Sequence, residues 1–343
     1  MSTGSIQTVG VIGEGKMGTG LFYYLLDFPL RMVWICSRGA DPEKIRKTFE
    51  RKRNRSLEAG IITAAQSDRW QQTVISGDIR DLHDADLVIE AIPEDLSLKK
   101  ALFGNLAKVV KPGSILASNS SSINPSMLLP GPEWETAMIG LHFFYPVQLK
   151  NIVEFIYTDR TSNVVKQQTA AFLTLINRHY LPLPEKRSFV LNKIFLDIQN
   201  EAFLLVNSGY LSIRQADFLV KEHLAPSGIF DFMDSVGLDT MLAAVLNYTC
   251  DYPHRDYYEP LIAKLQELVD QGKLGRKSGE GFYNYNVPSM PEGDPSDQAM
   301  IISHLQQAYR SSAKRFISGS GLPIADMNQA IREYLGTEKG PFE

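Results

Sequence analysis

The segment TVGVIGEGKMGTGLFYYLL, residues Thr8 to Leu26, carries the first structural assignment of the chain. Thr8 to Ile12 is a short β-branched run of the kind that fits a buried strand. Gly13, Gly15 and Gly18 follow at the spacing G-x-G-x-x-G, and the apolar pattern then turns helical through Leu26. A second apolar run, RMVWIC from Arg31 to Cys36, completes the order strand, glycine turn, helix, strand. In that setting each glycine has its own task. Gly13 permits the tight turn, Gly15 lets the backbone approach a pyrophosphate, and Gly18 lets helix and strand pack closely. The helix N-terminus adds N–H groups and the positive end of its dipole. The expected dinucleotide contacts are therefore Gly13, Gly15, Lys16, Met17 and Gly18.

The same alternation continues downstream. Asp41 to about Ala65 reads as a charged helix or helical hairpin. DLVIEA (Asp86 to Ala91) and SILA (Ser114 to Ala117) read as buried strands. Between them lies an amphipathic helix, Leu96 to Val110, which Lys111-Pro112-Gly113 closes. This pattern predicts an α/β fold, a Rossmann-type N-terminal domain with a mostly parallel sheet, followed by an all-α C-terminal domain. The switch comes near Glu185, beyond which strand signals nearly vanish. Phe189 to Val206, Ser212 to Glu222, Leu238 to Asn247 and Pro260 to Gln271 all read as helices. PSMPEGDP (Pro288 to Pro295) reads as a linker and Gln298 to Ile317 as one more helix.

The expected division is 1–186 for the dinucleotide-binding domain, 187–287 for a helical substrate and dimerisation domain, and 288–343 for a linker with a partial repeat of the helical unit. The repeat rests on order. Asn200 to Asp231 carries Glu-Ala, Ser208-Gly209, Ala216-Asp217 and Pro226-Ser-Gly-Ile-Phe-Asp231. Gln307 to Glu343 carries Gln-Ala, Ser320-Gly321, Met327-Asn328 and Gly340-Pro-Phe-Glu343.

Composition narrows the partners. The chain has 343 residues, 44% hydrophobic and 22% charged, with a net charge of −4, which points to neither a nucleic acid nor a membrane. Cys36 and Cys250 fit no metal or redox spacing, and His83, His179, His223, His254 and His304 show no ligand-like spacing. With no signal peptide or Arg-rich leader evident, a reducing, cytoplasmic location is expected.

A carboxylate normally ends the second strand of such a unit and holds the ribose 2′-hydroxyl. Here Cys36-Ser37-Arg38 stands there instead. Ser37 and Arg38 suit a 2′-phosphate, so the cofactor is NAD or NADP, with these two residues favouring NADP.

The chemistry-bearing residues cluster between 114 and 154. They are ASNSSS (Ala117 to Ser122), GLHFFYP (Gly140 to Pro146) and NIVE (Asn151 to Glu154). Oxidising an alcohol needs a group that takes the hydroxyl proton as hydride leaves carbon, and a histidine serves in both directions. His142 is that candidate; a carboxylate on its other nitrogen, Glu154, fixes the tautomer, and Ser121 offers a hydrogen bond to the reacting oxygen. Taken singly, each also has a structural reading: a satisfied core histidine, a strand-end charge, a helix cap.

Together with VIGEGKMGTG, DLVIEAIPEDLSLKKALF, ILASNSSS, IVE, DSVGLDT and GKLGRKSGEGFYNY, these stretches resemble the 3-hydroxyacyl-CoA dehydrogenase family, from about residue 7 to 286. The resemblance implies a Rossmann-type domain and a helical domain that forms homodimers, with an acyl-CoA or acyl-carrier thioester as substrate. It puts a catalytic histidine–glutamate pair on His142 and Glu154, and substrate contacts on Ser121 and Asn192, at the family's intervals. It adds Glu94 and Asn119 to the cofactor contacts. The implied activity is hydride transfer between a 3-hydroxyacyl thioester and NAD(P). The other readings are a dehydrogenase for a free 3-hydroxy acid or a carrier-bound intermediate, and a homologue that binds without turnover.

Three departures stand out. Tyr145 replaces the asparagine of His-Phe-Phe-Asn-Pro, Arg187-Ser188-Phe189 replaces Pro-Gly-Phe, and Cys36 replaces the ribose-binding aspartate. They lead to the expectation of an unusual acyl group, carrier or cofactor. The basic cluster Arg46, Lys47, Arg51, Lys52, Arg53 and Arg55 falls where the family meets the CoA nucleotide, but Glu43, Glu50 and Glu58 also make it a balanced solvated face. Asp234 to Thr240 and Lys273 to Tyr285 are expected to be structural.

Overall fold

A computed structural model describes residues 5–37, 39, 41–250, 254–287, 297–318 and 322–343. The chain divides into two compact units, Met1–Ser188 and Phe189–Glu343. The linker expected at 288–295, along with Arg38, Ser320 and Gly321, lies outside the described residues.

The first unit is built on β1 (Thr8–Ile12), α1 (Lys16–Leu25), β2 (Arg31–Ile35), α2 (Pro42–Glu58), α3 (Ala64–Gln71), β3 (Val74–Ser76), β4 (Leu87–Glu90), α4 (Leu96–Leu106), β5 (Ile115–Ser118), β6 (Met138–Phe143), β7 (Ile152–Tyr157), α5 (Asn163–Leu175) and β8 (His179–Pro184). Among the described residues its sheet has eight strands, in the order β3-β2-β1-β4-β5-β6-β7-β8. Every neighbouring pair is parallel except β6 and β7.

Strand alternation produces two hydrophobic layers. Val9, Val11, Leu87, Ile89 and Ala117 pack with Phe22 of α1 and Phe172 of α5. Ile12, Val33, Val88 and Leu116 face the other way, onto Phe103 and Leu106 of α4. Burial on both faces explains why these strands read as continuous apolar runs. The strand order reverses between β1 and β4, and because β1, β4, β5 and β6 run parallel, the loops after them gather at the carboxyl end of the sheet.

The region expected to be a charged helix or hairpin forms the hairpin α2–α3. Asp41 caps α2, and Thr63 with Gln66 makes a capping box on α3. The basic cluster on α2 is divided. Arg46 binds Glu43 at 2.7 Å, Lys47 lies 3.8 Å from Glu43, and Lys52 sits 3.6 Å over the Tyr23 ring.

The second unit contains α6 (Val190–Asn207), α7 (Ile213–His223), α8 (Ile229–Val236), α9 (Leu238–Thr249), α10 (Glu259–Asp270), α11 (Gln298–Ile317) and α12 (Ile324–Leu335). Helix α8 was not anticipated; it is short and separated from α9 only by Gly237, whose φ is 102°. Asp234 on α8 accepts the N–H groups of Phe282 and Tyr283, each at 2.9 Å, and thereby holds the glycine-rich loop. That loop and the DSVGLDT stretch pack against each other.

The two halves of the suggested repeat share a local geometry. Asp217 accepts the Phe230 N–H at 2.8 Å, and Asn328 accepts the Phe342 N–H at 3.1 Å. Gly228 lies against Asp217 as Gly340 lies against Asn328, each too close to admit a Cβ. Helix α11 lies along α6, joined by Arg315 to Asp197 at 3.1 Å and His304 to Glu201 at 2.9 Å.

Candidate active site

The antiparallel register of β6 and β7 sets His142 directly opposite Glu154. Nδ1 of His142 donates to Oε2 of Glu154 at 2.7 Å, and both side chains are buried. Directly opposed residues project from the same face of the sheet, so two strands fix this pair with little freedom. The connection between those strands is pinned by Arg178, which donates to the carbonyls of Val147 at 2.6 Å and Lys150 at 2.8 Å. The Phe144 ring rests on the imidazole with centroids 4.3 Å apart. A carboxylate that only accepts requires the proton on Nδ1, which makes Nε2 the basic nitrogen of the neutral ring.

A chain of polar contacts links β4, α4 and the serine loop, buried at Glu90, Lys99, Ser118 and Ser120 and open to the surface at Glu94. Glu90, at the end of β4, accepts from Lys99 Nζ at 2.6 Å, Ile92 N–H at 2.7 Å and the Ser118 hydroxyl at 2.7 Å. Lys99 is 1% exposed and lies 3.3 Å from Glu94. Glu94 then gathers the serine loop: it accepts the N–H groups of Ser121 at 3.1 Å and Ser122 at 3.0 Å and the hydroxyls of Ser120 and Ser122. Burial works against its charge, but Lys99 and the hydroxyls of Ser120 and Ser122 outweigh that and hold the carboxyl below its ordinary range. Asn119 accepts the Phe143 N–H at 2.9 Å, tying the serine loop to the residue after His142.

Glu90 and Lys99 were not singled out in the sequence, and Ser118 and Ser120 stood there only as members of the ASNSSS stretch, without a role of their own. A lysine on an amphipathic helix reads as solvent-facing, and the only signal was the acidic pair four residues apart just ahead of it. Tyr145 is 56% exposed.

The glycine turn has the shape a dinucleotide needs. A Cβ on residue 18 would fall 2.2 Å from the Gly13 carbonyl oxygen, and one on residue 13 would fall 2.5 Å from that of Ala91. At Gly15, which caps α1, nothing lies within 4 Å of a Cβ position. Trp34 donates its indole N–H to the Gly13 carbonyl at 2.8 Å, locking the turn onto β2. The first unit therefore offers open backbone at a helix N-terminus where phosphates bind. Lys16 is exposed there, and Met17 packs partly into the core.

Ser37 is where the structure departs from the expected phosphate site. Its N–H donates to Glu14 Oε2 at 2.9 Å and its hydroxyl to Oε1 of the same carboxylate. Ser37 thus faces a negative charge supplied by the turn itself.

Asn192 lies on α6 in the second unit. Its Nδ2 donates to the Tyr248 hydroxyl at 2.7 Å, and its Oδ1 accepts from Tyr334 at 2.9 Å. Phe189, which opens α6, has φ 59°, a left-handed conformation costly for a bulky residue.

Residues 8–185 match the family described as 3-hydroxyacyl-CoA dehydrogenase, NAD binding domain, and residues 189–285 match its C-terminal domain. A probable 3-hydroxybutyryl-CoA dehydrogenase of Deinococcus radiodurans is 32% identical over 80% of this chain and 99% of the relative. The human mitochondrial hydroxyacyl-coenzyme A dehydrogenase is 30% identical over 82% of this chain and 91% of its own length. The solved (S)-3-hydroxybutyryl-CoA dehydrogenase of Ralstonia eutropha superposes with a TM-score of 0.73 at 30% identity, covering 82% of this chain and 99% of that one. The 3-hydroxybutyryl-CoA dehydrogenase of Escherichia coli K12 shares the fold over 98% of this chain and 90% of its own, with a TM-score of 0.81 at 21% identity. On these matches the chain belongs to the 3-hydroxyacyl-CoA dehydrogenase family.

Proposed function

We propose that the chain interconverts a 3-hydroxyacyl thioester, with CoA as the carrier, and its 3-oxoacyl form. The observation that carries this reading is the buried 2.7 Å bond between His142 and Glu154, in a sheet whose β1 ends in the glycine turn at the same end as the close of β6. A nicotinamide, when bound, would supply or accept the hydride at C3. Gly13, Gly15, Lys16, Met17 and Gly18 are the residues that would hold its pyrophosphate, and Glu94 and Asn119 shape the wall beside the serine loop.

In the oxidising direction His142 takes the hydroxyl proton at Nε2; in the reducing direction it returns it. Glu154 keeps Nδ1 protonated and stabilises the imidazolium formed midway. Ser121 is held by Glu94 through its N–H at 3.1 Å, and its hydroxyl, 3.5 Å from the same carboxylate, turns to the substrate oxygen when the thioester binds. Asn192 contributes an amide whose orientation two tyrosines set.

Cys36 and Cys250 are both free thiols, in keeping with a reducing compartment such as the cytoplasm. Among the described residues no helix is long and apolar enough to cross a membrane. A homodimer, expected from the helical unit, would have to use a surface other than the face of α6 on which α11 lies.

The test is reduction of acetoacetyl-CoA by the purified protein, followed at the nicotinamide absorbance, beside free acetoacetate and an acyl-carrier-protein ester. Turnover of the CoA ester, lost in His142→Ala, supports the reading. Turnover of free acetoacetate alone would replace it with the hydroxy-acid reading.

A further inference from the structure

We infer that Glu14 replaces the missing acid at the end of β2, reads the adenosine ribose and confines the chain to the cofactor without a 2′-phosphate. The assignment rests on the reading of the chain as a nicotinamide-dependent oxidoreductase.

The argument starts from position. In this fold the pyrophosphate lies at the glycine turn and the ribose near the end of β2, where an acid discriminates against a 2′-phosphate. Residue 36 of this chain is a cysteine and residue 37 a serine, so β2 brings no acid of its own. Glu14 lies between Gly13 and Gly15, within the turn, and its carboxylate reaches across to the first residues after β2. It therefore spans the two places where pyrophosphate and ribose are read.

Two observations show that the carboxylate is placed there. Each of its oxygens takes one bond from Ser37, from the N–H at 2.9 Å and from the hydroxyl. Its charge is felt by the neighbouring thiol: burial first, and Glu14 second, push Cys36 up to about 11. Burial disfavours the charge on Glu14, yet the bonds from Ser37 prevail and hold the carboxyl below its ordinary range.

A carboxylate has about four acceptor sites, so two bonds from Ser37 leave about two directions for a vicinal diol. A 2′-phosphate in the same place would bring about −1.5 to −2 charges against this one, by analogy with other phosphate monoesters. The serine expected to welcome that phosphate has both of its donors turned to a carboxylate instead. At Ser37 this runs against the expectation of NADP; Arg38, the other residue behind that expectation, lies outside the described residues.

The test is direct binding to the apo protein, followed by nicotinamide fluorescence and by calorimetry, with NADH and NADPH in parallel. The wild-type protein should bind NADH at least about tenfold more tightly than NADPH, a modest outcome for a like-charge contact. Glu14→Gln keeps the shape and removes the charge; it should weaken NADH, tighten NADPH and bring the two near parity. Parity in the wild-type protein, or a ratio unchanged in Glu14→Gln, overturns the assignment. The wild-type ratio needs no variant to fold, and melting curves show whether Glu14→Gln does. Selectivity that depends on Glu14 in a protein that turns over no thioester leaves this inference standing and removes the functional reading. Turnover of acetoacetyl-CoA with a cofactor ratio indifferent to residue 14 does the reverse.

Discussion

The hydroxyl of Tyr334 donates to Oδ1 of Asn192 at 2.9 Å, while Nδ2 of the same amide donates to Tyr248 at 2.7 Å. One tyrosine comes from α12 in the tail and the other from α9. The amide is held at both ends, so the tail helix helps to set which way Asn192 faces. Tyr334→Phe should raise KM for the acyl thioester about fivefold, the value of one hydrogen bond, with the dissociation constant for NADH unchanged. The same change in an Asn192→Ala background should have no further effect on KM. An equal loss in both backgrounds would show that Tyr334 acts elsewhere.

His142→Ala should lower kcat by about 10² to 10⁴ while NADH binding persists. Glu154→Gln keeps an acceptor for Nδ1 but cannot stabilise an imidazolium. Its loss should fall on kcat, by about 10² or more, with NADH binding little changed. Steady-state kinetics with stopped-flow cofactor binding separates these effects.

Gly15 and Gly18 should fail in opposite ways. Gly15→Ala adds a methyl into open space at a residue whose φ is −67°, so melting should be nearly unaffected while dinucleotide affinity drops. Gly18→Ala places a Cβ 2.2 Å from a backbone oxygen and should cost about 1–3 kcal/mol or more by overpacking. Denaturant midpoints and cofactor titration on the two variants decide the matter.

The Glu94 contacts have a pH signature. Its folded pKa is depressed, so its contribution to stability is fully present above the unfolded value, near 4.5, and fades as pH falls through the folded one. Glu94→Gln should therefore be less stable than wild type at pH 7, and the gap should close as the pH falls below 4.5. A gap of constant size across that range would mean that the charge is not what holds the serine loop.

The sheet was legible where burial on both faces leaves continuous apolar runs, as in TVGVI and DLVIEA. Strand β8, HYLPLP, carries two prolines and sits at the sheet edge, with His179 and Pro182 exposed; those features hide a strand. His142 and Glu154 were proposed because alcohol oxidation asks for such a pair and the family resemblance carries one at these positions; twelve residues of sequence close into one antiparallel rung. Glu14 and Lys99 escaped notice because their partners are set by the fold. Ser37 is 23 positions from Glu14, and Glu90 is 9 from Lys99.

Helices α6 and α11 clasp each other through Asp197 with Arg315 and Glu201 with His304, and both belong to one polypeptide. Being tethered, they meet at an effective concentration set by the connecting residues rather than by the solution. Dilution cannot loosen such a clasp, so the loss of melting temperature caused by Arg315→Ala should be the same over about a hundredfold range of protein concentration.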